Sequence, residues 1–256
     1  VSEFIVYEQP LNERIRTFLR LEFLFARVDH ALSGTSEMHH RDAIDAMLSM
    51  LSVFERSDIK AEIIKEIERL ISNLTALENI PGVDRSMLDS LLAELDQTLD
   101  ALHLKKSIIG QALKENDFLY SIRQRSSIAG GTCDFDLPAY HFWLQHSSAE
   151  QRQQQIQLWL EHFVAARAAI EITLRLIRQS IGFNPAQAEA GFYQRSLDAN
   201  QPHQLIRVKL PEGSPFYPEI SGGKHRFTVR FMQFDIDSRP QQIADDVDFE
   251  LSCCAM

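Results

Sequence analysis

The sequence predicts an α+β protein. A mainly α-helical domain of long antiparallel helices is expected over residues 10–183. A smaller antiparallel β-sheet domain is expected from residues 184–256 together with 1–9. Three observations carry this. Between Pro10 and Phe183 apolar residues recur at helical spacing, with few glycines or prolines. After Asn184-Pro185 the texture changes to short alternating runs separated by Gly, Pro, Asn and Asp. Ahead of the first helix, residues 4–8 read as a short strand free to join the later sheet.

The helices follow in order. Asn12 is placed to cap a helix carrying Ile15, Phe18, Leu19 and Phe25. A second helix holds Ala43, Met47, Met50, Leu51 and Phe54. Ser57 is read as the start of a long helix whose narrow stripe runs through Ile59, Ile63, Ile67, Leu70, Leu74 and Leu77. Pro81-Gly82 breaks it, and Asp84 is placed to cap a return helix carrying Leu88, Leu91, Leu92, Leu95, Leu99 and Leu102. The pair reads as an antiparallel αα-hairpin. Asp136 is expected to cap a helix beginning near Leu137-Pro138, proline suiting a first helical turn. Ser148 and Gln151 form a capping box for one long helix through Ile156, Leu160, Phe163, Ile170, Leu174 and Ile177. Core packing accounts for all these stripes.

Strands are expected near 191–196, 205–210, 224–234 and 247–253. The third is the most distinctive, within ISGGKHRFTVRFMQF (220–234). Alternation puts Lys224, Arg226, Thr228 and Arg230 on one face and His225, Phe227, Val229 and Phe231 on the other. In a chain of formal charge -10 this basic row is a local exception. In LIRVKL, Arg207 and Lys209 likewise share a face; in DDVDFELS, Asp246, Asp248 and Glu250 alternate with Val247, Phe249 and Leu251. Two basic strands and one acidic strand are therefore expected in one small sheet. Either cross-strand ion pairs neutralise the basic row, each worth roughly 0.2–1 kcal/mol, or the row meets an acidic partner outside the chain.

Composition bounds the function. The 256 residues, 45% hydrophobic and 24% charged, describe a folded globular protein with ample core. No run approaches the roughly 18 apolar residues of a membrane span, and VSEFIVYEQPLNE lacks the regions of a signal peptide. Three cysteines, Cys133, Cys253 and Cys254, suit a reducing compartment rather than a disulfide framework. The acidic balance argues against broad nucleic-acid binding.

No catalytic signature stands out. Gly223-Lys224 is followed by His225, so there is no phosphate loop, and neither a dinucleotide fingerprint nor a nucleophile elbow occurs. His39-His40 and His141…His146 lack companion ligands at helical spacing. Asp134, Asp136 and His141 leave a small-molecule enzyme site conceivable, and the basic strand face leaves a nucleic-acid-binding module conceivable. Other basic groups sit on the helices: Arg16, Arg20 and Arg27 on one stripe, Arg56 between two helices, and Arg123 and Arg125 before Gly130-Gly131. For each, pairing with a local acid such as Glu13, Glu22 or Glu55 is the simpler reading.

These residues also carry an extensive resemblance. PLNERIRTFLRLEFL, VFERSDIKAEIIKE, IPGVD, RQRSSIAGGTCDFDLPAYHFWL, LIRQS, GFYQ, YPEISGGKHRFTVRFM and DFELSCC occur in this order from Pro10 to Cys254. The chain thereby resembles the Z-ring-associated protein D (ZapD) family of bacterial cell division, over essentially its whole length. The resemblance implies a non-enzymatic cytoplasmic protein, recruited to midcell, without cofactor, catalytic residues or metal. It implies a homodimer that binds the C-terminal tail of the tubulin-like protein FtsZ and bundles its filaments to hold the Z-ring together. It implies no nucleic-acid partner and no membrane insertion. By the matching motifs, the implied FtsZ-contacting residues are Arg20, Arg56, His141 and Arg226; Lys224 and Arg230 join them through the strand face. One departure stands out: KENDFLYS places Asn116-Asp117 where relatives carry a further arginine.

Overall fold

In a computed structural model of the chain, residues 3–56, 58–78, 80–104, 108–198 and 200–255 are described, and their architecture is α+β. The chain divides into two compact units, one holding residues 1–17 and 174–256 and the other residues 18–173. The helices are α1 (Glu13–Leu32), α2 (Glu37–Arg56), α3 (Ile59–Thr75), α4 (Arg85–Leu104), α5 (Gln111–Lys114), α6 (Asp117–Ser126), α7 (Pro138–His146), α8 (Ala149–Leu160) and α9 (Val164–Gln179). The strands are β1 (Phe4–Pro10), β2 (Asn184–Ala188), β3 (Phe192–Ser196), β4 (His203–Pro211), β5 (Phe216–Gly222), β6 (Arg226–Gln233), β7 (Gln241–Gln242) and β8 (Val247–Ala255).

Most helix boundaries follow from side-chain chemistry. Asn12 Oδ1 accepts from the Ile15 N–H at 2.9 Å, and Asp84 Oδ1 accepts from the Met87 N–H at 3.1 Å. The Ser148–Gln151 capping box forms in both directions. Ser57 lies outside the described residues; the cap seen on α3 is Asp58, accepting from the Ala61 N–H. Two expectations fail. Asp136 caps nothing: Leu137 occupies the cap position of α7 without a side-chain bond, while Asp136 accepts from Cys133 Sγ and meets Arg125 at 3.6 Å. The long helix after Ser148 is two helices. At His162 and Phe163 the N–H groups bond three residues back rather than four, tightening the chain. That turn aims Phe163 inward to stack on Phe54, with ring centroids 5.4 Å apart.

The helical unit also encloses a buried histidine–arginine pair. His40 is fully buried, and its Nδ1 accepts from Arg152 Nε at 3.1 Å, which requires a neutral ring. Arg152 also donates to the Leu144 and Ser147 carbonyls at the end of α7. Burial, then the Arg152 charge, holds the His40 pKa below its ordinary 6.5. The unfolded chain therefore takes a proton near pH 6.5 that the folded chain refuses, so this contribution to stability is complete above 6.5 and lost as pH falls below it. The thermal midpoint is expected to drop between pH 7.5 and 5.5, with a shallower drop in His40→Asn, which keeps an acceptor for Arg152. Equal slopes in the two proteins would contradict the assignment.

The β unit corrects the expectation of a single sheet. One sheet has the order β1-β4-β8-β2; the other has β3-β6-β5, with β7 pairing β6 beyond β3. All pairings are antiparallel. The two sheets share one core. From β4 come Ile206, Val208 and Leu210, from β8 Val247, Phe249, Leu251 and Cys253, and from β6 Phe227, Val229 and Phe231. The Phe231 and Phe249 rings meet across it at 5.0 Å. Each of those β6 side chains is at most 1% exposed, and each such burial stabilises the fold by about 1.5–3 kcal/mol. The sequence reading missed β2, β5 and β7. Pro185 and Pro218 both sit inside strands, where proline ordinarily argues against that assignment.

Candidate functional site

Charge is settled differently on the two sheets. On the outer face of the first, Lys209 of β4 stands directly across from Glu250 of β8, Nζ to Oε2 3.1 Å. Arg207 Nε donates to Glu8 of β1 at 2.9 Å, Arg178 of α9 shares that carboxylate at 2.8 Å, and the Arg207 guanidinium lies over the Phe183 ring. Asp248 accepts from Gln187, and Asp246 from the Ala190 N–H. The acidic strand is thus consumed by its own sheet and turn. Internal pairing, as the sequence allowed, holds for Arg207 and Lys209.

It does not hold for β6. That strand lies in the other sheet, and its polar row points away from the shared core, opposite to the direction taken by Asp248 and Glu250. Two sheets packed face to face lie about 10 Å apart, so the two outward rows stand beyond one Debye length of ~8 Å. Arg226 and Arg230 are exposed, and among the described residues neither has an ion-pair partner within 4.0 Å. Lys224 is corrected in position. The strand begins at Arg226, and Lys224-His225 form the turn of the β5–β6 hairpin, closed by the Gly223 N–H donating to the Arg226 carbonyl at 3.0 Å. Gly222, before that turn, lies against Leu11: a Cβ there would come 2.7 Å from Leu11 Cδ2 and push that side chain aside.

The neighbouring strands complete a shelf. Across from Arg230, Thr228 and Arg226 stand Phe192, Gln194 and Ser196 of β3 on one side. Glu219 and Ser221 of β5 stand across from Arg230 and Thr228 on the other. Lys224, His225, Arg226, Thr228 and Arg230, with Phe192, Gln194 and Ser221, line one open concavity. Glu219 is the one acid among these cross-strand neighbours; it is exposed and forms no ion pair with Arg230 within 4.0 Å. Sequence reasoning missed the β3 and β5 contributors, because the register that brings them beside β6 is set by pairing partners far away in the chain.

The remaining site residues belong to the helical unit. Arg20 of α1 is exposed, with no ion pair to it among the described residues. Arg56 ends α2, but its side chain lies outside the described residues. His141 of α7 is partly exposed, its Nδ1 3.1 Å from Asp134 Oδ1 but outside hydrogen-bond geometry. Asp134 instead accepts from Arg41 Nη2 at 2.9 Å, and Arg41 also lies over the Tyr140 ring. The other arginines that the sequence singled out on the helices have local partners: Arg16 with Glu13, Arg27 with Asp45, Arg123 with Glu55 and Arg125 with Asp136. The Glu55 carboxyl is held below its ordinary range chiefly by its hydrogen bonds from Arg123. Among the described residues no three His, Cys, Asp or Glu side chains converge as metal ligands, and no helix is long and apolar enough to cross a membrane.

Comparison with known proteins places these features in context. Residues 19–230 match the model of the ZapD family, described as a cell division protein. The chain is 38% identical to the cell division protein ZapD of Methylococcus capsulatus, over 98% of both chains. It is 41% identical to those of Cupriavidus pinatubonensis and Ralstonia pickettii, over 98% of this chain and 99% of each relative.

Proposed function

The chain belongs to the ZapD family of cell division proteins, and from that premise we propose that it binds the C-terminal tail of FtsZ on the β6 shelf. The observation that carries the reading is the exposed basic group of Arg226 and Arg230 on β6 with Lys224 in the adjoining turn, without an ion pair among the described residues, in a chain of net charge -10. A tail bearing an acidic residue and a terminal carboxylate suits arginine, which grips carboxylates with two parallel N–H donors. Arg20, Arg56 and His141 on the helical unit supply further contacts. The protein acts without catalysis or cofactor, as a cytoplasmic factor gathered to midcell by FtsZ itself, with no nucleic-acid partner and no membrane insertion.

Bundling follows from valence. One tail site per particle decorates a filament; two sites join filaments. A two-fold homodimer supplies the second, and many tails along each filament raise the effective concentration at every site, so weak single contacts suffice.

The test is sedimentation with polymerised FtsZ, intact and lacking its C-terminal tail. The protein is expected to pellet and bundle filaments with intact FtsZ and to stay in the supernatant with the truncated form. Equal pelleting with both would overturn the tail reading. Glu219→Gln removes the acid across from Arg230 and is expected to tighten tail binding by up to about five-fold, the range of a cross-strand charge neighbour worth roughly 0.2–1 kcal/mol; weaker binding by fluorescence anisotropy would contradict the shelf.

A further inference from the structure

The two edges of the β3-β6-β5 sheet are not equivalent. In β5 the Gly223–Arg226 bond fixes the register, so Phe216, Pro218, Ile220 and Gly222 turn their main-chain groups away from β6. Pro218 has no N–H to offer there, and Leu11 sits against Gly222. That edge is blunted. In β3 the bonds from the Phe231 N–H to the Gly191 carbonyl and from the Leu197 N–H to the His225 carbonyl fix the opposite phase. Phe192, Gln194 and Ser196 therefore turn their main-chain groups away from β6.

The Phe192 N–H is used by the Glu189 carbonyl at 2.9 Å. No hydrogen bond within the described residues takes up the outward N–H and C=O of Gln194 or Ser196, and both residues are exposed. Unpaired edge groups of this kind are a template for another strand. The β3 edge has no proline to block one, and its one charge, Arg195, falls on the opposite face from Gln194 and Ser196.

We propose that the shelf takes its peptide as an added β-strand on the edge of β3, reading two carboxylates four residues apart against Arg226 and Arg230. This deepens the tail-binding reading and rests on it. Main-chain bonds to Gln194 and Ser196 hold the peptide; side chains on its shelf-facing side give selectivity. Those side chains stand two strand spacings from β6, about 9.6 Å, a gap an extended arginine and an acidic side chain close from either end. Between them lie only Gln194 and Ser196, which are uncharged. Arg226 and Arg230 are four residues apart on one strand, about 13 Å at strand rise, and an added strand repeats that rise. Phe192, 37% exposed beside Arg230, offers an apolar contact at that end.

The test uses the full chain and a fluorescent FtsZ C-terminal tail peptide. Gln194→Pro removes an outward N–H and leaves the β6 ladder whole, so it is expected to weaken binding at least ten-fold with an unchanged melting curve. Gln194→Ala, which keeps that N–H, is expected to bind clearly more tightly than Gln194→Pro; an equal loss in both would place the contact in the side chain and overturn strand addition. Equal binding by Gln194→Pro, with binding lost in Arg226→Glu, overturns strand addition while leaving the shelf in place; no effect of either overturns both. Backbone amide exchange supplies a readout that needs no variant. The Gln194 and Ser196 amides are expected to gain protection when the tail is added, and unchanged exchange there at saturating peptide overturns the proposal.

Discussion

Arg226→Glu combined with Arg230→Glu is expected to lose co-sedimentation with polymerised FtsZ at about 0.15 M salt, with tail-peptide affinity down at least ten-fold, a loss of about 1.4 kcal/mol or more. The same variant should keep its thermal midpoint, because both side chains are exposed and neither has an ion-pair partner among the described residues. Exposed substitutions of this kind usually cost within about 0.5 kcal/mol. Arg226→Glu is expected to carry the larger share, since Glu219 stands across from Arg230 and already offsets part of its charge. A large stability loss with binding retained would mean that the row is held by the fold after all.

The neighbouring residue is expected to behave in the opposite way. Phe231→Ala opens a cavity where the two sheets meet, beside Phe216 and Phe249. Phe231 is fully buried, and truncating such a phenylalanine costs about 3–5 kcal/mol. Urea unfolding should show a clearly lowered midpoint for the β unit. Under conditions where that unit remains folded, tail affinity should be close to the parent's. Residues 230 and 231 thus separate recognition from stability on two sides of one strand; a Phe231→Ala protein as stable as the parent would contradict the sandwich core.

Much of this was legible in the residues because it is decided locally. Asn12, Asp84 and the Ser148–Gln151 box announce their helices by capping groups that reach only three residues along the chain. The alternation of β6 announces its two faces, and the structure keeps Phe227, Val229 and Phe231 inside. What was not legible depends on distant partners. Nothing in RFTVRFMQF or DVDFELS says whether they lie in one sheet, and the answer reverses the fate of the charge. Lys209 finds Glu250 because β4 pairs β8. Arg226 has no ion-pair partner among the described residues, because β6 lies in the other sheet and its neighbour across β3 is Ser196. The break between α8 and α9 has the same origin: no glycine or proline marks it, and the packing of Phe163 on Phe54 accompanies the turn.

Amide resonances of the isotope-labelled protein, followed as unlabelled FtsZ C-terminal tail peptide is added, locate the bound peptide most directly. The largest changes are expected along β3 and from Ser221 to Arg230, with smaller ones near Arg20 and His141. Saturating changes confined to the helices, with the β3 and β6 amides unmoved, would contradict the assignment of the tail to the shelf.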